Sequence, residues 1–224
     1  MRTKRLIPGL ALPLAFAGAA VAVAAQPSGG TAVTLEATPT TVVYSNPTTL
    51  SGRVTGGGNT NGVKVHLEQD TSRPYGDGYT PAGVTATTAS NGKYSFTLKP
   101  LVNTQYRVDA KASPPVTSTP RLVLVRMLVG IRLSDSTPTR GRLVRFSGSV
   151  TPAHDGLRAL IQKRSSTGRF VTVARKTLGD AGDARSAYSR RIRIFRDGVY
   201  RVKVAGDSDH INGFSRLRTI NVHG

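Results

Sequence analysis

Apolar and polar residues alternate with a period of two in several short segments of this chain. The alternation is clear over residues 62–68, 93–98 and 200–204. Such a period places one face of a β-strand in a core and the other in water. The pattern predicts an all-β protein with strands near 31–37, 48–55, 62–69, 83–88, 93–98, 104–111 and 118–125, and with counterparts from about 128 to 223.

Residues 49–108 recur in residues 145–202, so the chain contains one module twice. The matching segments are Ser51-Gly52 with Ser147-Gly148, Gly62 with Gly156, Tyr94-Ser95 with Tyr188-Ser189, Tyr106-Arg107-Val108 with Tyr200-Arg201-Val202, and Arg121-Leu122 with Arg216-Leu217. A period near 95 residues is typical of a small β-domain used in tandem. We therefore expect two β-sandwich domains, at residues 26–126 and 127–224. The chain has no cysteine, so packing alone must hold each domain.

Tyr106 and Tyr200 each stand two positions before a valine, at the start of the sixth predicted strand of their half. Immunoglobulin-type sandwiches place a tyrosine there, with its hydroxyl bonded to the backbone a few residues upstream. The alternative is an ordinary half-buried tyrosine on a strand. Recurrence after a turn in both halves favours the first interpretation.

The segments TTLSGRVTG, ASNGKYSFTLKP, NTQYRV, RFSGSVTP, LIQKRSSTGRFVTVA and YRVKVAGD resemble the Ig-like modules of secreted bacterial proteins, which are related to the fibronectin type III and carboxypeptidase regulatory-like folds. The resemblance covers nearly all of the chain after residue 25. It implies a spacer, an adhesion domain or a carbohydrate-contacting accessory. The chain lacks the cysteine pair and the core tryptophan of antibody domains, so nothing about immune-type recognition follows, and fold alone does not define an activity.

The first 25 residues read as a signal peptide. Arg2, Lys4 and Arg5 precede an apolar stretch that ends Val23-Ala24-Ala25, which predicts cleavage after Ala25 and secretion. The alternative is an uncleaved anchor, because the apolar stretch is long enough to cross a bilayer. Pro8 and Pro13 argue against the anchor, and we expect no membrane span after cleavage.

Residues 121–129 predict that the last strand of the first module runs almost directly into the next module, without a flexible linker. Such a junction should be stiff.

Positive charge is concentrated in the second half of the chain: the formal net charge is +19, and residues 126–224 contain 20 basic and 7 acidic side chains. A field of this size attracts polyanions such as wall polymer, acidic glycan or nucleic acid. The alternative is that the charge reflects arginine-rich composition and only maintains solubility.

Strand parity places Arg201 and Lys203 on the wet side of their strand if Tyr200, Val202 and Val204 face inward. Arg158 and Arg164 should join them across the sheet, and we take these four residues as candidate anion contacts. The same parity exposes basic residues on the opposite sheet, at Arg145, Arg191 and Arg193, so the charge is expected to coat both faces. We expect no aromatic residues interleaved with these arginines, which argues against specific nucleic-acid recognition.

Candidate catalytic and metal-binding motifs are few. Gly206-Asp207-Ser208-Asp209-His210 contains a GDS triplet and an Asp-x-x-His spacing known from serine esterases, but one short loop does not bring a serine and a histidine into line. Asp207, Asp209 and Asn212, or Asp180 with Asp183, offer calcium-binding oxygens without an EF-hand spacing. The four histidines, at residues 66, 154, 210 and 223, are far apart in the sequence. We therefore expect no catalytic residues, no cofactor and no metal site.

These observations predict a secreted, non-enzymatic Ig-like protein that serves as a structural or adhesive module at the bacterial cell surface. Its partner would be a cell-envelope polymer or a protein. The alternative function is polyanion binding, to wall polymer or acidic glycan, through the basic second domain. The sequence leaves the ligand and the oligomeric state open.

Overall fold

The computed structural model describes residues 30–56, 58–182 and 184–224. The predicted signal peptide lies outside these residues. The strands are β1 Ala32–Val33, β2 Glu36–Thr38, β3 Thr41–Val43, β4 Thr48–Thr55, β5 Lys64–Asp70, β6 Thr80–Thr87, β7 Lys93–Leu98, β8 Thr104–Ala110, β9 Val116–Thr117, β10 Arg121–Arg126, β11 Leu128–Val129, β12 Arg132–Leu133, β13 Leu143–Thr151, β14 Arg158–Arg164, β15 Phe170–Thr177, β16 Gly179–Asp180, β17 Ser186–Arg193, β18 Gly198–Val204, β19 Gly213–Phe214 and β20 Arg218–Ile220.

The strands form two consecutive β-sandwiches, which we call module 1 (β1–β10) and module 2 (β11–β20). In one sheet of module 1, β1 and β2 both pair with β4, and β7 pairs with β4 on its other side. The facing sheet has the order β3-β10-β8-β5-β6, and β9 also pairs with β8. In module 2, β11 and β12 pair with β13, followed by β17 and β16, and the facing sheet has the order β15-β14-β18 with β19 and β20 on β18. The all-β tandem sandwich expected from the sequence is therefore present. Among the described residues, no helix has the length and apolar character needed to cross a bilayer.

Each module has its own hydrophobic core. The core of module 1 is built from buried residues between Val33 and Val125, and the core of module 2 from buried residues between Met127 and Ile220. Tyr200, Val202 and Val204 all point into the second core, as strand parity predicted. The domain boundaries at residues 26, 126 and 127 remain a prediction.

The first edge strand of each module is split in two, which the sequence did not indicate. The breaks lie at Thr34, between β1 and β2, and at Gly130, between β11 and β12. At each break the backbone carbonyl accepts a hydrogen bond from a tyrosine hydroxyl, Tyr94 for Thr34 and Tyr188 for Gly130. The segment predicted as one strand over 31–37 is therefore two short strands.

These tyrosines make the kind of hydroxyl-to-backbone bond that was predicted for Tyr106 and Tyr200. Tyr106 and Tyr200 are buried, but among the described residues such a bond is not seen for either of them. The corner interpretation was therefore wrong in that detail. Strand β3 was also missed; it pairs in parallel with β10 through Val42 and Val125.

One of the sequence matches between the modules is out of register. Tyr106 pairs with Arg121 in module 1, whereas its counterpart Tyr200 pairs with Arg218 in module 2. The counterpart of Arg121 is thus Arg218 and not Arg216. The difference arises because module 2 has a longer connection between β18 and β19.

Candidate functional site

The connection between β18 and β19 is the main difference between the two modules. Ser118 Oγ accepts the backbone N–H of Val108 in module 1, and Ser215 Oγ accepts that of Val202 in module 2, so these residues mark equivalent points. The serine follows the valine by 10 positions in module 1 and by 13 positions in module 2. Module 2 therefore carries three additional residues in the segment 205–212, which we call the junction loop.

The junction loop is hydrogen-bonded to module 1 through its backbone. Asn103 N donates to the Asp209 carbonyl at 2.7 Å, and Ile211 N donates to the Val125 carbonyl at 2.8 Å. Ile211 also forms a parallel β-bridge with Arg126. Because only Met127 separates β10 from β11, these bonds lie directly beside the crossover from one module to the next.

Asn103 connects three segments at this junction. Its side chain is fully buried. Its Oδ1 accepts the Val125 backbone N–H at 2.8 Å, and its Nδ2 donates to the Ser208 carbonyl at 3.4 Å. A buried amide satisfied in this way holds both neighbours in place, because losing it would leave backbone groups without partners.

Two residues of the junction loop, Asp207 and His210, form a cluster with His154. His154 Nε2 lies 2.9 Å from Asp207 Oδ2, and His210 Nδ1 lies 3.6 Å from Asp207 Oδ1. The imidazole rings are 5.0 Å apart, edge to face. One potential ligand atom from each residue lies within 4.8 Å of the other two. Two of the four histidines that are far apart in the sequence, His154 and His210, are therefore neighbours in the fold.

Each histidine directs its other ring nitrogen to a backbone carbonyl. His154 Nδ1 lies 2.9 Å from the Pro152 oxygen, and His210 Nε2 lies 2.8 Å from the Leu101 oxygen in module 1. A carbonyl only accepts, so these two nitrogens carry the hydrogen atoms. The remaining nitrogens, His154 Nε2 and His210 Nδ1, both point towards Asp207.

Asp207 is ionised in this setting. Its burial raises the pKa of the carboxyl, but the backbone N–H groups of His210 and Asp209 and the charges of His154 and His210 together lower it below the usual value. Asp207 Oδ1 accepts those two N–H groups at 2.8 and 2.9 Å. The carboxylate thus organises the loop and faces both imidazoles.

The esterase-like motif in this loop is not assembled as a catalytic pair. Within the described residues, Ser208 Oγ donates to Asp209 Oδ1 at 2.9 Å, while the nitrogens of His210 face Leu101 and Asp207. A serine nucleophile needs a hydrogen bond to its base. The calcium candidates are used locally as well: Asn212 Oδ1 accepts the Gly206 N–H, and Asp183 lies outside the described residues.

The four predicted anion contacts lie on one outer face of module 2, which we call the basic face. Arg158 and Arg164 are exposed on β14, and Arg201 and Lys203 are half-buried on β18. The register pairs Gln162 with Arg201 and Leu160 with Lys203, which sets these alternate residues on the same side. The strands of this sheet, β14, β15, β18, β19 and β20, contain no acidic residue.

Two phenylalanines are interleaved with these arginines, so the expectation that aromatics are absent was wrong. The Arg201 guanidinium carbon lies 3.9 Å from the centre of the Phe170 ring and 4.5 Å from that of Phe214. Arg201 Nε donates to Gln162 Oε1 at 2.9 Å. Burial lowers the pKa of Arg201, and the nearby charge of Arg164 lowers it further. A bound anion would relieve that repulsion.

Basic residues also cover the opposite sheet, as predicted. Arg145, Arg191 and Arg193 are all exposed there, and Arg145 is paired with Arg191 in the ladder. The two faces therefore differ in their aromatic residues and in the fixed position of Arg201 rather than in charge alone.

No family model matches this sequence, and no curated protein matches it. Structural matches comprise 830 chains of solved structures. One of them is the crystal structure of bovine butyrophilin, which is 7% identical in sequence, with a TM-score of 0.40 over 88% of this chain and 100% of that chain. A likeness at this TM-score carries no argument about ligand or partner.

Sequence reasoning missed Leu101, Asn103 and the cluster of His154 with His210. The repeat offsets contained a usable signal. The offset is 94 residues from Gly62 to Gly156 and from Tyr106 to Tyr200, but 97 from Ser118 to Ser215. An insertion that breaks an internal repeat marks the segment in which one copy does something that the other does not.

Proposed function

We propose that this protein is a secreted, non-enzymatic structural or adhesive element of the bacterial cell surface, with two Ig-like modules acting as one stiff unit. We take residues 26–126 and 127–224 as its domains. The observation that carries the proposal is the junction, where the loop of module 2 is hydrogen-bonded to Leu101, Asn103 and Val125 of module 1. A flexible linker would let the modules move independently, whereas this junction transmits force and keeps their surfaces in a fixed relation.

Secretion rests on the pattern of the first 25 residues. The test is expression of the full chain in a bacterial host, followed by fractionation and N-terminal sequencing. We expect a product that begins at Gln26 outside the cytoplasm. Ala25→Arg should block cleavage, because the processing enzyme requires a small residue there, whereas Ser28→Arg, beyond the cleavage site, should be processed normally. Cytoplasmic retention of the full-length chain would contradict the proposal.

The structural or adhesive role is tested by binding of the secreted chain to cell-envelope fractions. We expect saturable retention by at least one purified envelope component and no turnover of ester or peptide substrates. Hydrolysis that disappears in Ser208→Ala would contradict the non-enzymatic assignment.

A second candidate function is polyanion binding through the basic face. Two observations favour it. The strands of this sheet contain no aspartate or glutamate, and Arg201 lies between the rings of Phe170 and Phe214. Fixing a guanidinium before binding reduces the entropy lost when it contacts an anion. Its surroundings also lack a carboxylate within the sheet that would compete for it.

The test compares two charge-matched triple variants on immobilised heparin and on wall teichoic acid. Arg158→Gln, Arg164→Gln and Lys203→Gln remove three charges from the basic face and leave Arg201 in place. Arg145→Gln, Arg191→Gln and Arg193→Gln remove three from the opposite sheet. We expect the first variant to elute at clearly lower salt, with a salt slope smaller by about one for each lost contact. Equal elution of the two variants would show that charge acts without a defined face.

A further inference from the structure

We propose that His154, Asp207 and His210 bind a divalent transition-metal ion of the zinc class. The donor atoms would be His154 Nε2, one Asp207 carboxylate oxygen and His210 Nδ1. These three residues provide atoms that all lie within 4.8 Å of one another. The site goes beyond the proposed function and concerns how the junction loop is held.

The backbone bonds of the two imidazoles leave the nitrogens that face Asp207 as the candidate ligand atoms, and one of these, His154 Nε2, lies 2.9 Å from Asp207 Oδ2. His154 donates from Nδ1 to the Pro152 carbonyl, and His210 donates from Nε2 to the Leu101 carbonyl. Histidines that bind metals almost always donate their other ring N–H to a carbonyl or carboxylate, which fixes the tautomer and the ring orientation. Both rings already have this arrangement.

The environment of His210 Nδ1 gives separate support for a bound cation. This nitrogen is buried and has no hydrogen-bond partner, and the His210 side chain is only 5% exposed. Asp207 Oδ1 lies 3.6 Å from it, just beyond hydrogen-bonding distance. A buried imidazole nitrogen without a hydrogen-bond partner is unfavourable. A cation between the three residues would provide a partner.

The donor set indicates the class of metal. Two imidazole nitrogens and one carboxylate oxygen suit zinc, copper or nickel, whereas calcium requires about six to eight oxygens. Zinc binds these ligands at about 2.0–2.2 Å in a tetrahedral arrangement, and water often fills a fourth position. Ligand atoms at that distance from a tetrahedral ion lie about 3.3 Å from one another, so the 2.9 Å separation of His154 Nε2 and Asp207 Oδ2 would lengthen and the 3.6 Å separation of His210 Nδ1 and Asp207 Oδ1 would shorten.

The metal would act on the junction because His210 spans it. Its Nδ1 faces the cluster in module 2, and its Nε2 bonds to Leu101 in module 1. Binding would therefore fix the ring that connects the modules. Asp207 already holds the backbone N–H groups of Asp209 and His210, so the ion would also stabilise the loop conformation.

The test uses the full chain without a histidine tag, first stripped with a chelator and then titrated with Zn²⁺ and Co²⁺. We expect one ion per chain, together with the visible absorption of tetrahedral Co²⁺. His154→Gln and His210→Ala should each weaken binding at least about 10-fold. His223→Ala, at an exposed histidine of the same module, is the control and should bind like the wild type.

A second measurement uses only the wild-type protein and does not depend on the folding of any variant. X-ray absorption of the Zn²⁺-loaded chain should show two imidazole ligands and one or more oxygens. The absence of stoichiometric binding, a spectrum with oxygen ligands only, or unchanged affinity in a folded His210→Ala variant would overturn the proposal.

Discussion

Tyr188 donates a hydrogen bond of 2.7 Å from its hydroxyl to the backbone carbonyl of Gly130, 58 residues earlier in the chain. Gly148 lies opposite Tyr188 in the ladder between β13 and β17. Module 1 repeats the arrangement with Tyr94, Thr34 and Gly52. The Ser-Gly and Tyr-Ser pairs that recur in the sequence therefore belong to one structural motif, in which the tyrosine hydroxyl is hydrogen-bonded to the split edge strand.

The first prediction concerns the hydroxyl. Tyr188→Phe should lower the free energy of unfolding by about 1–3 kcal/mol, because the Gly130 carbonyl loses its partner. Tyr94→Phe should have a similar effect through Thr34. Denaturant unfolding of each variant measures the change. If both variants were as stable as the wild type, the recurrence of these residues would need another explanation.

The second prediction concerns the glycine. A Cβ at residue 148 would lie 2.2 Å from the Gly130 oxygen and 2.9 Å from the Tyr188 hydroxyl. Gly148→Ala should therefore lower the free energy of unfolding by about 3 kcal/mol or more, because β13 would have to move away from the edge segment at Gly130. Gly179→Ala is the matched control, since a Cβ there meets nothing within 4 Å. The control should stay within about 0.5 kcal/mol of the wild type, and equal effects of the two substitutions would contradict the account.

The third prediction concerns the pH dependence of module 1. The Asp70 carboxylate accepts backbone N–H groups of Ser72, Gly76 and Gly78 in the loop after β5. These bonds, first those from Ser72 and Gly76, lower the pKa of Asp70. Because the folded pKa lies below the unfolded value of about 3.9, the ionised carboxyl stabilises the fold above that pH. The contribution disappears as the pH falls through the folded pKa.

Asp70→Asn should therefore destabilise the protein at neutral pH and reduce its loss of stability in acid. Thermal unfolding from neutral pH down to about pH 2 measures both effects, and this range extends below the unfolded pKa of a typical Asp. Asp77→Asn, in the same loop but exposed, is the control and should follow the wild-type curve. An acid transition of Asp70→Asn identical to that of the wild type would remove Asp70 as its source.

The fourth prediction concerns Asn103. Asn103→Ala leaves the buried Val125 N–H without its 2.8 Å acceptor and removes the bond to the Ser208 carbonyl. The cost should be about 1–3 kcal/mol, seen as a lower midpoint in denaturant. Thr97→Ala, on the exposed face of β7, should change stability by less than about 0.5 kcal/mol. An Asn103→Ala variant as stable as Thr97→Ala would exclude a role for this amide in the junction.

The parts of the fold that depend on local pattern were predictable. Alternation in Tyr200, Val202 and Val204 identified the buried side of β18, and the same parity exposed Arg145 and Arg191 on the opposite sheet. Strand β3 was not predictable in this way. It has three residues, too few to show a period, and it exists because its backbone pairs with the distant β10.

The candidate sites depend on contacts between distant segments, which a pattern along the chain does not reveal. Phe170 and Phe214 lie on strands to either side of Arg201, so only the strand register brings them together. A register shift between Ile161 and Gln162 further changes which residues of β15 face outward. His154 and His210 are neighbours because the loop that contains His154 and the junction loop lie at the same end of module 2, beside module 1.

We propose that the junction loop holds the two modules as one stiff unit. The most direct test is the distance distribution between spin labels at Thr97→Cys in module 1 and Thr167→Cys in module 2, both exposed positions in a chain without native cysteine. We predict one narrow distribution for this pair, which becomes broader when Asn103→Ala is added. A broad distribution in the protein with an intact junction would contradict the account.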